Sequence, residues 1–349
     1  MQNDIKLIPI EDNVDIEINI FAIILGGTNP FLNIEIGNGY RIEQIALDNC
    51  KFKNKLIMGD GNLNFQYLTS EILSPDCLVE DKKFISIVKH DILKCSFPFK
   101  NNVTYLSTCP FFYNEAETYK EQQFQYLNDF ISRLMLFKEG DIGLYEIFFS
   151  FTTTLPFSNN YESTVLINDA NTICLDKFNL DNSEIMNLNS FLQNHVLSFG
   201  LVKNIVDNFS YSYKLLYGAK AFELLVTVLE QLFLSKNQKC KKEVLSKRIA
   251  VFLGTDGFTI KNIYDEINEF YKYRSESTHE GEDSNITKQK LLKLREYARL
   301  SINKYLDLID NNPKVNKNTT FKSIKDKLIE KLRSDVEAQI GLGILPPKT

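Results

Sequence analysis

Histidine is scarce in this chain and tryptophan is absent: 349 residues hold three histidines, at positions 90, 195 and 279, and no tryptophan. Any acid–base chemistry near neutral pH must therefore use one of three imidazoles. The six cysteines, at 50, 77, 95, 109, 174 and 240, form no CxxC pair, and no histidine stands at zinc-finger spacing. They read as buried small hydrophobes of a reducing cytoplasm, and no metal or cofactor is expected. Complete Walker, GxGxxG, HExxH, GxSxG and DxDxDG patterns are all missing, so the paired glycines Gly26/Gly27, Gly37/Gly39 and Gly59/Gly61 are expected at hairpin turns. No run approaches the about 18 apolar residues of a membrane span. The opening MQNDIKLIPIEDNVDIEINIFAIILGG puts acids before its apolar run and lacks a basic leader region. A soluble cytoplasmic protein is expected. Basic excess is missing too: 40 Lys and Arg against 45 Asp and Glu give a net charge of -5. A generally basic, nucleic-acid-coating surface is excluded, so any RNA contact must be local.

Proline is the most informative absence. It occurs at 9, 30, 75, 98, 110 and 156, then not again until 313. A span this long without proline suits a helical domain, because proline costs about 3 kcal/mol inside a helix. Before it, DIEINIFAIIL, FLNIEIGNGYRIEQIAL, FISIVKHDIL, VTYLSTCPFF, GLYEIFFSFTTTLPF and STVLIND are β-branched and aromatic runs punctuated by turn residues. One helix, from Glu117 to Lys138, interrupts them with Phe124, Leu127, Ile131 and Leu134 at helical spacing. With 16 Tyr, 26 Phe and no Trp, the aromatics are read mainly as core filling, with a base-stacking platform in the first domain as the lesser alternative.

The expected fold class is α+β: a β-rich N-terminal domain over 1–178, an all-α bundle over 179–310, and a linker with a C-terminal helix over 311–349. Asp181 or Asn182 caps the first helix of the bundle, which carries Ile185, Leu188, Phe191 and Leu192. GAKAFELLVTVLEQLFL is apolar nearly all round and is expected as the central buried helix. Gly254 is expected at a C′ position. The last helix, with Ile324, Leu328, Ile329, Leu332 and Val336 on one side, is expected to dock on the body or on a second subunit.

Chemistry concentrates in YKYRSESTHEG, where Arg274 precedes His279 by five positions. His90, in a strand-like run, and His195, late in an amphipathic helix, read as structural. The bare R-x(4-6)-H pattern is weak, since a chain of this composition contains one by chance in roughly one case in five. Its surroundings carry more. Tyr271, Arg274, Ser275 and His279 occupy the places of a Y-x-x-R-S-x-x-x-H-G type sequence, preceded by AFELLVTVLEQLFL with Glu230 and by EVLSKRIAVFLG with Glu243. Residues 178–308 thereby resemble the ApeA-like branch of the HEPN superfamily. Two departures stand beside it: Glu280 intervenes before Gly281, and Thr278 occupies a place where an aliphatic residue is common.

The resemblance implies an endoribonuclease, a homodimer whose site is assembled from two modules, and a bacterial anti-phage, abortive-infection role. It also implies an N-terminal domain that regulates activity or recognises a phage-derived trigger. The residue types suit that chemistry without a metal. A base takes the proton from the 2′-OH, an acid protonates the 5′-oxygen, and a cation neutralises charge building on the phosphate. His279 fits acid or base, and Arg274 grips phosphate through a planar fork. RNA is the expected substrate, with tRNA one candidate. Ser275 and Glu276 are candidates to orient the histidine, or are solvated helix polars. Glu230, an acid on an apolar helix, is expected to face water or to pair with Arg248 or Arg274. Five helical residues separate Arg274 and His279 by about 140° and about 7.5 Å of rise. Convergence then needs the helix to end near His279, which Gly281 permits, or a second copy across a two-fold interface. The rival from another class is a non-catalytic helical dimerisation or interaction module whose N-terminal domain binds a protein or ligand.

Overall fold

The computed structural model describes residues 13–46, 83–96, 105–153, 160–166, 178–194, 196–215, 218–312, 315 and 319–347. Its strands are β1 (Asn13–Leu25), β2 (Arg41–Ala46), β3 (Lys83–Ser96), β4 (Gly143–Thr153) and β5 (Asn160–Leu166). Its helices are α1 (Tyr105–Phe137), α2 (Ile185–Gln193), α3 (Val196–Ser212), α4 (Gly218–Phe233), α5 (Lys241–Leu253), α6 (Gly257–Glu280), α7 (Lys288–Asp310) and α8 (Phe321–Gly341). The fold class is α+β, with a sheet-bearing N-terminal part and a helical C-terminal part. Among the described residues no helix is long and apolar enough to cross a membrane.

The chain divides into two compact units, Met1–Leu134 with Gly140–Leu192 and Met135–Glu139 with Gln193–Thr349. In the first, an antiparallel sheet of order β2-β3-β1-β4-β5 has β1 at its centre. The alternation in β1 explains its placement: Val14, Ile16, Ile18 and Ile20 are buried while Asp15 and Glu17 are exposed. From Ile20 to Leu25 both faces are buried, as the unbroken apolar run FAIIL requires. Helix α1 supplies part of the cover, packing the Tyr119 ring edge-on against Phe151 and donating from the Tyr119 hydroxyl to Asp91 (2.6 Å). That bond, with Lys89 beside it, holds the Asp91 carboxyl below its ordinary range.

Three expectations change in this unit. VTYLSTCPFF does not form the expected strand from Tyr105 onward, where it belongs to α1. Phe112, Ala116, Tyr119, Gln123 and Leu127 continue one buried helical stripe, and packing overrides the local β preference. Phe124 is only half-buried, whereas Leu127, Ile131 and Leu134 are in the core. FLNIEIGNGYRIEQIAL is not one strand either. Asn29–Asn33 form a 3₁₀ turn opened by Pro30, and a turn with left-handed Gly37, Asn38 and Gly39 precedes β2. Third, the long C-terminal stretch of the second unit begins at Gln193, past the change of period near 178. Helix α2 is helical by period but is held within the first unit, where Asn189 accepts from the Glu35 N–H (2.9 Å) and donates to the Asn33 carbonyl (3.2 Å). The helix is introduced by Asp181, whose N–H donates to the Glu184 carboxylate (2.9 Å). Gly59, Gly61, His195, Cys50, Cys77 and Cys174 lie outside the described residues. Cys95 is buried as expected, but Cys240 is exposed because it occupies the left-handed position (φ 49°) that turns the chain into α5.

In the second unit α4 is the central helix. It packs against α3, α5, α6, α7 and α8, and Ala221, Phe222, Leu225, Val226, Val228, Leu229, Leu232 and Phe233 are buried. Each large apolar side chain sealed here contributes about 1.5–3 kcal/mol. The last carbonyls of α4 have no partner within the helix and are taken by three neighbours: the Lys325 ammonium to Gln231 O (2.5 Å), the Tyr305 hydroxyl to Leu232 O (2.6 Å) and the Arg248 guanidinium to Phe233 O (2.5 Å). Gly254 follows α5 with φ −66°, so no left-handed turn requires it. Space does: a Cβ there would lie 2.4 Å from Ile260 Cγ1 and 2.7 Å from the Ala250 carbonyl. Helix α8 docks within this unit, burying Val336 beside Ala250, Ile260 and Tyr264.

Candidate active site

Helix α6 is delimited at both ends by its own sequence. Asp256 accepts from the Thr259 N–H (2.9 Å), while Thr259 Oγ1 accepts from the Asp256 N–H (3.1 Å). At the other end Gly281 adopts φ 69°, a left-handed conformation suited to glycine, and the helix stops one residue after His279. The helix is regular between Arg274 and His279, so the separation of about 140° holds within one chain.

Helix α4 lies antiparallel along this stretch and presents two carboxylates. Glu223 accepts from the Thr278 hydroxyl (3.0 Å) near the end of α6 and is paired with Lys220 (3.0 Å). Seven residues on, Glu230 accepts from the Tyr271 hydroxyl (3.1 Å) and from the Arg274 guanidinium (3.2 Å) through the same oxygen. The guanidinium also sits 5.5 Å from the centre of the Tyr271 ring. Burial, then the Glu230 charge, raises the Tyr271 phenol above its ordinary value, so it remains a donor to the carboxylate. The Arg274 and Glu230 side chains are 27% and 15% exposed, so the pair is part-buried but open on one side.

The structure thus brings together Tyr271, Arg274 and Glu230. Glu230 pairs with Arg274 and not with Arg248, which serves the end of α4 instead. Glu276 is taken up by Lys272 (3.4 Å) and by Asn285 Nδ2 (3.3 Å) and holds neither Arg274 nor His279. Ser275 and His279 are exposed, and the described residues supply no hydrogen bond to the His279 ring. His90 lies exposed on β3 beside Asn19 (3.1 Å).

No family model, no curated protein and no solved structure matches this chain. The site is therefore defined by geometry alone. Sequence reasoning missed Glu223 and took Thr278 only as a departure from the family's pattern. Glu223 stands seven residues before Glu230 on the same helix, and that two-turn spacing put both acids on one face. Among the described residues no group of three or more His, Cys, Asp or Glu is placed to hold a metal ion.

Proposed function

We propose that α6, braced by α4, is one half of a HEPN-type endoribonuclease site, with His279 as general acid or base and Arg274 as the phosphate-binding cation. The observation that carries this reading is the group Glu230–Tyr271–Arg274. It fixes a part-exposed guanidinium on the same helix whose last turn displays an unengaged imidazole. A guanidinium held by one carboxylate oxygen and one phenol keeps further N–H donors for a phosphate. An imidazole can carry a donor and an acceptor nitrogen at once, so it can serve as acid or as base. Because the two side chains diverge by about 140°, a homodimer completes the site: Arg274 of one copy works with His279 of the other. The chemistry is 2′-OH attack on the adjacent phosphate, needing proton transfer and charge neutralisation but no metal from the protein. Cellular RNA, with tRNA a candidate, is the substrate. The setting is cytoplasmic anti-phage defence, and the N-terminal unit regulates activity or recognises a phage-derived trigger.

Incubating the protein with total RNA and with tRNA in EDTA, beside Arg274→Ala and His279→Ala, tests this directly. Cleavage lost in both variants is expected; no cleavage at all, or cleavage that survives both substitutions, overturns it. A second reading, a non-catalytic dimerisation or interaction module, is favoured by the engagement of Arg274 within its own chain by Glu230. It predicts a dimer with no RNA cleavage.

A further inference from the structure

A cavity of about 540 Å³ opens between the start of α5 and the side of α8, apart from the Arg274 seam. This size suits a small organic ligand. Four cations line it, Lys239, Lys247, Arg248 and Arg333, against two acids, Glu243 and Glu337. The excess is notable in a chain of net charge -5.

The cations differ in what balances them. Lys247 is ion-paired with Glu243 and also donates to the Pro347 carbonyl (3.2 Å). Arg248 is only 6% exposed, yet among the described residues no carboxylate pairs with it; its guanidinium donates to the Phe233 carbonyl. Arg333, reaching in from α8, has no carboxylate partner among the described residues either, and it lies close enough to Arg248 to disfavour its charge. Burial is the larger effect on Arg248, and both push its guanidinium below the ordinary value. Lys325 adds a third positive charge near Arg248 at the end of α4, with the acid Asp326 beside it. The negative end of one helix is worth about half an elementary charge. Asp326 offsets Lys325 and Arg333 is exposed to solvent, but half a charge does not balance the buried Arg248, and a buried cation without a counter-charge is costly.

We infer that this cavity binds a small phosphate ester, with the phosphate between the Arg248 and Arg333 guanidiniums and Lys239 at the rim. Two planar forks match phosphate oxygens better than they match a single carboxylate. The volume exceeds that of a bare phosphate, and Val244 and Val336 in the wall offer apolar contact for an organic portion. A nucleoside monophosphate or diphosphate has this combination of charge and bulk. The assignment does not depend on RNA cleavage.

Calorimetric titration of the full chain with pyrophosphate, AMP and ADP, with adenosine as the uncharged control, tests it. Saturable binding of at least one phosphate and none of adenosine is expected. Arg333→Glu should weaken that binding by about tenfold or more. Lys322→Glu, exposed on the same helix, should change it by less than about twofold. Arg248 is left in place because it also holds the end of α4, and a thermal midpoint no lower than that of the wild type shows that Arg333→Glu is folded. Absence of saturable binding up to about 5 mM overturns the inference. So does binding that Arg333→Glu leaves unchanged, or Arg333-dependent binding of a single-stranded RNA with no binding of the three small phosphates.

Discussion

One helix, α4, meets charge in two ways. Along its side, Glu223 and Glu230 face α6, and each finds its partners there: Thr278 for the first, Tyr271 and Arg274 for the second. At its C-terminal end the charge is only partial, three backbone carbonyls, yet two full cations and a phenol converge on it and Arg333 stands nearby. The seam is balanced within the chain; the end carries positive charge to spare. An internally balanced seam is suited to holding one guanidinium in a fixed place, and an unbalanced end is suited to recruiting an anion.

The largest test concerns whether the seam is half of a site. Arg274→Ala and His279→Ala should each lower RNA cleavage by about 10²-fold or more. Mixing the two inactive variants should restore about a quarter of the wild-type rate, since half the dimers are mixed and each holds one intact Arg274–His279 pair. A mixture as inactive as its parts removes the two-chain arrangement.

Next comes stability at the seam, followed by urea denaturation. Arg274→Ala strands the part-buried Glu230 carboxylate and should cost about 1–3 kcal/mol, whereas exposed His279→Ala should stay within about 0.5 kcal/mol. Equal losses would mean that His279 is a packing residue. At the end of α4, Tyr305→Phe removes the donor to the Leu232 carbonyl in a fully buried setting and should cost about 1–2 kcal/mol.

Both places contain a phenol held above its ordinary value of about 10: Tyr305 by burial, Tyr271 by burial and then by Glu230. The folded chain keeps these protons where the unfolded chain loses them. Their contribution is complete below pH of about 10 and declines as pH rises beyond it. Replacing either with phenylalanine should flatten that alkaline decline in the urea midpoint. The smallest effect separates the two regions most cleanly. Arg333→Ala relieves like-charge repulsion at the α4 end and should stabilise the protein by about 0.3 kcal/mol at low salt, vanishing at high salt. A loss of stability would mean that the cations there are already balanced.

Legibility from sequence differed between the two units for a physical reason. In the helical unit the 3.6-residue period, the glycine at 281 and the all-round apolar α4 are local signals, and they marked out α4 through α8, whereas the Asp256 cap that opens α6 was not read. In the sheet unit, VTYLSTCPFF has strand composition but continues the buried stripe of α1, and α2 has helical period but is held by Glu35 and Asn33 of the first unit. Composition cannot report which surface a segment will meet. Glu223 was legible in principle from its spacing to Glu230; Arg333 was not, because eighty-odd residues separate it from Arg248.

The sequence by itself determined the α+β class and the divergence of Arg274 from His279 along a regular helix, and it permitted an end of α6 at Gly281, since each follows from propensities and helix geometry acting over a few residues. Only the tertiary structure decided that Glu230 takes Arg274 while Arg248 turns to the end of α4, and that Arg248 and Arg333 face one cavity. Charge partners are chosen by which helix lies over which, and no local rule along the chain contains that information.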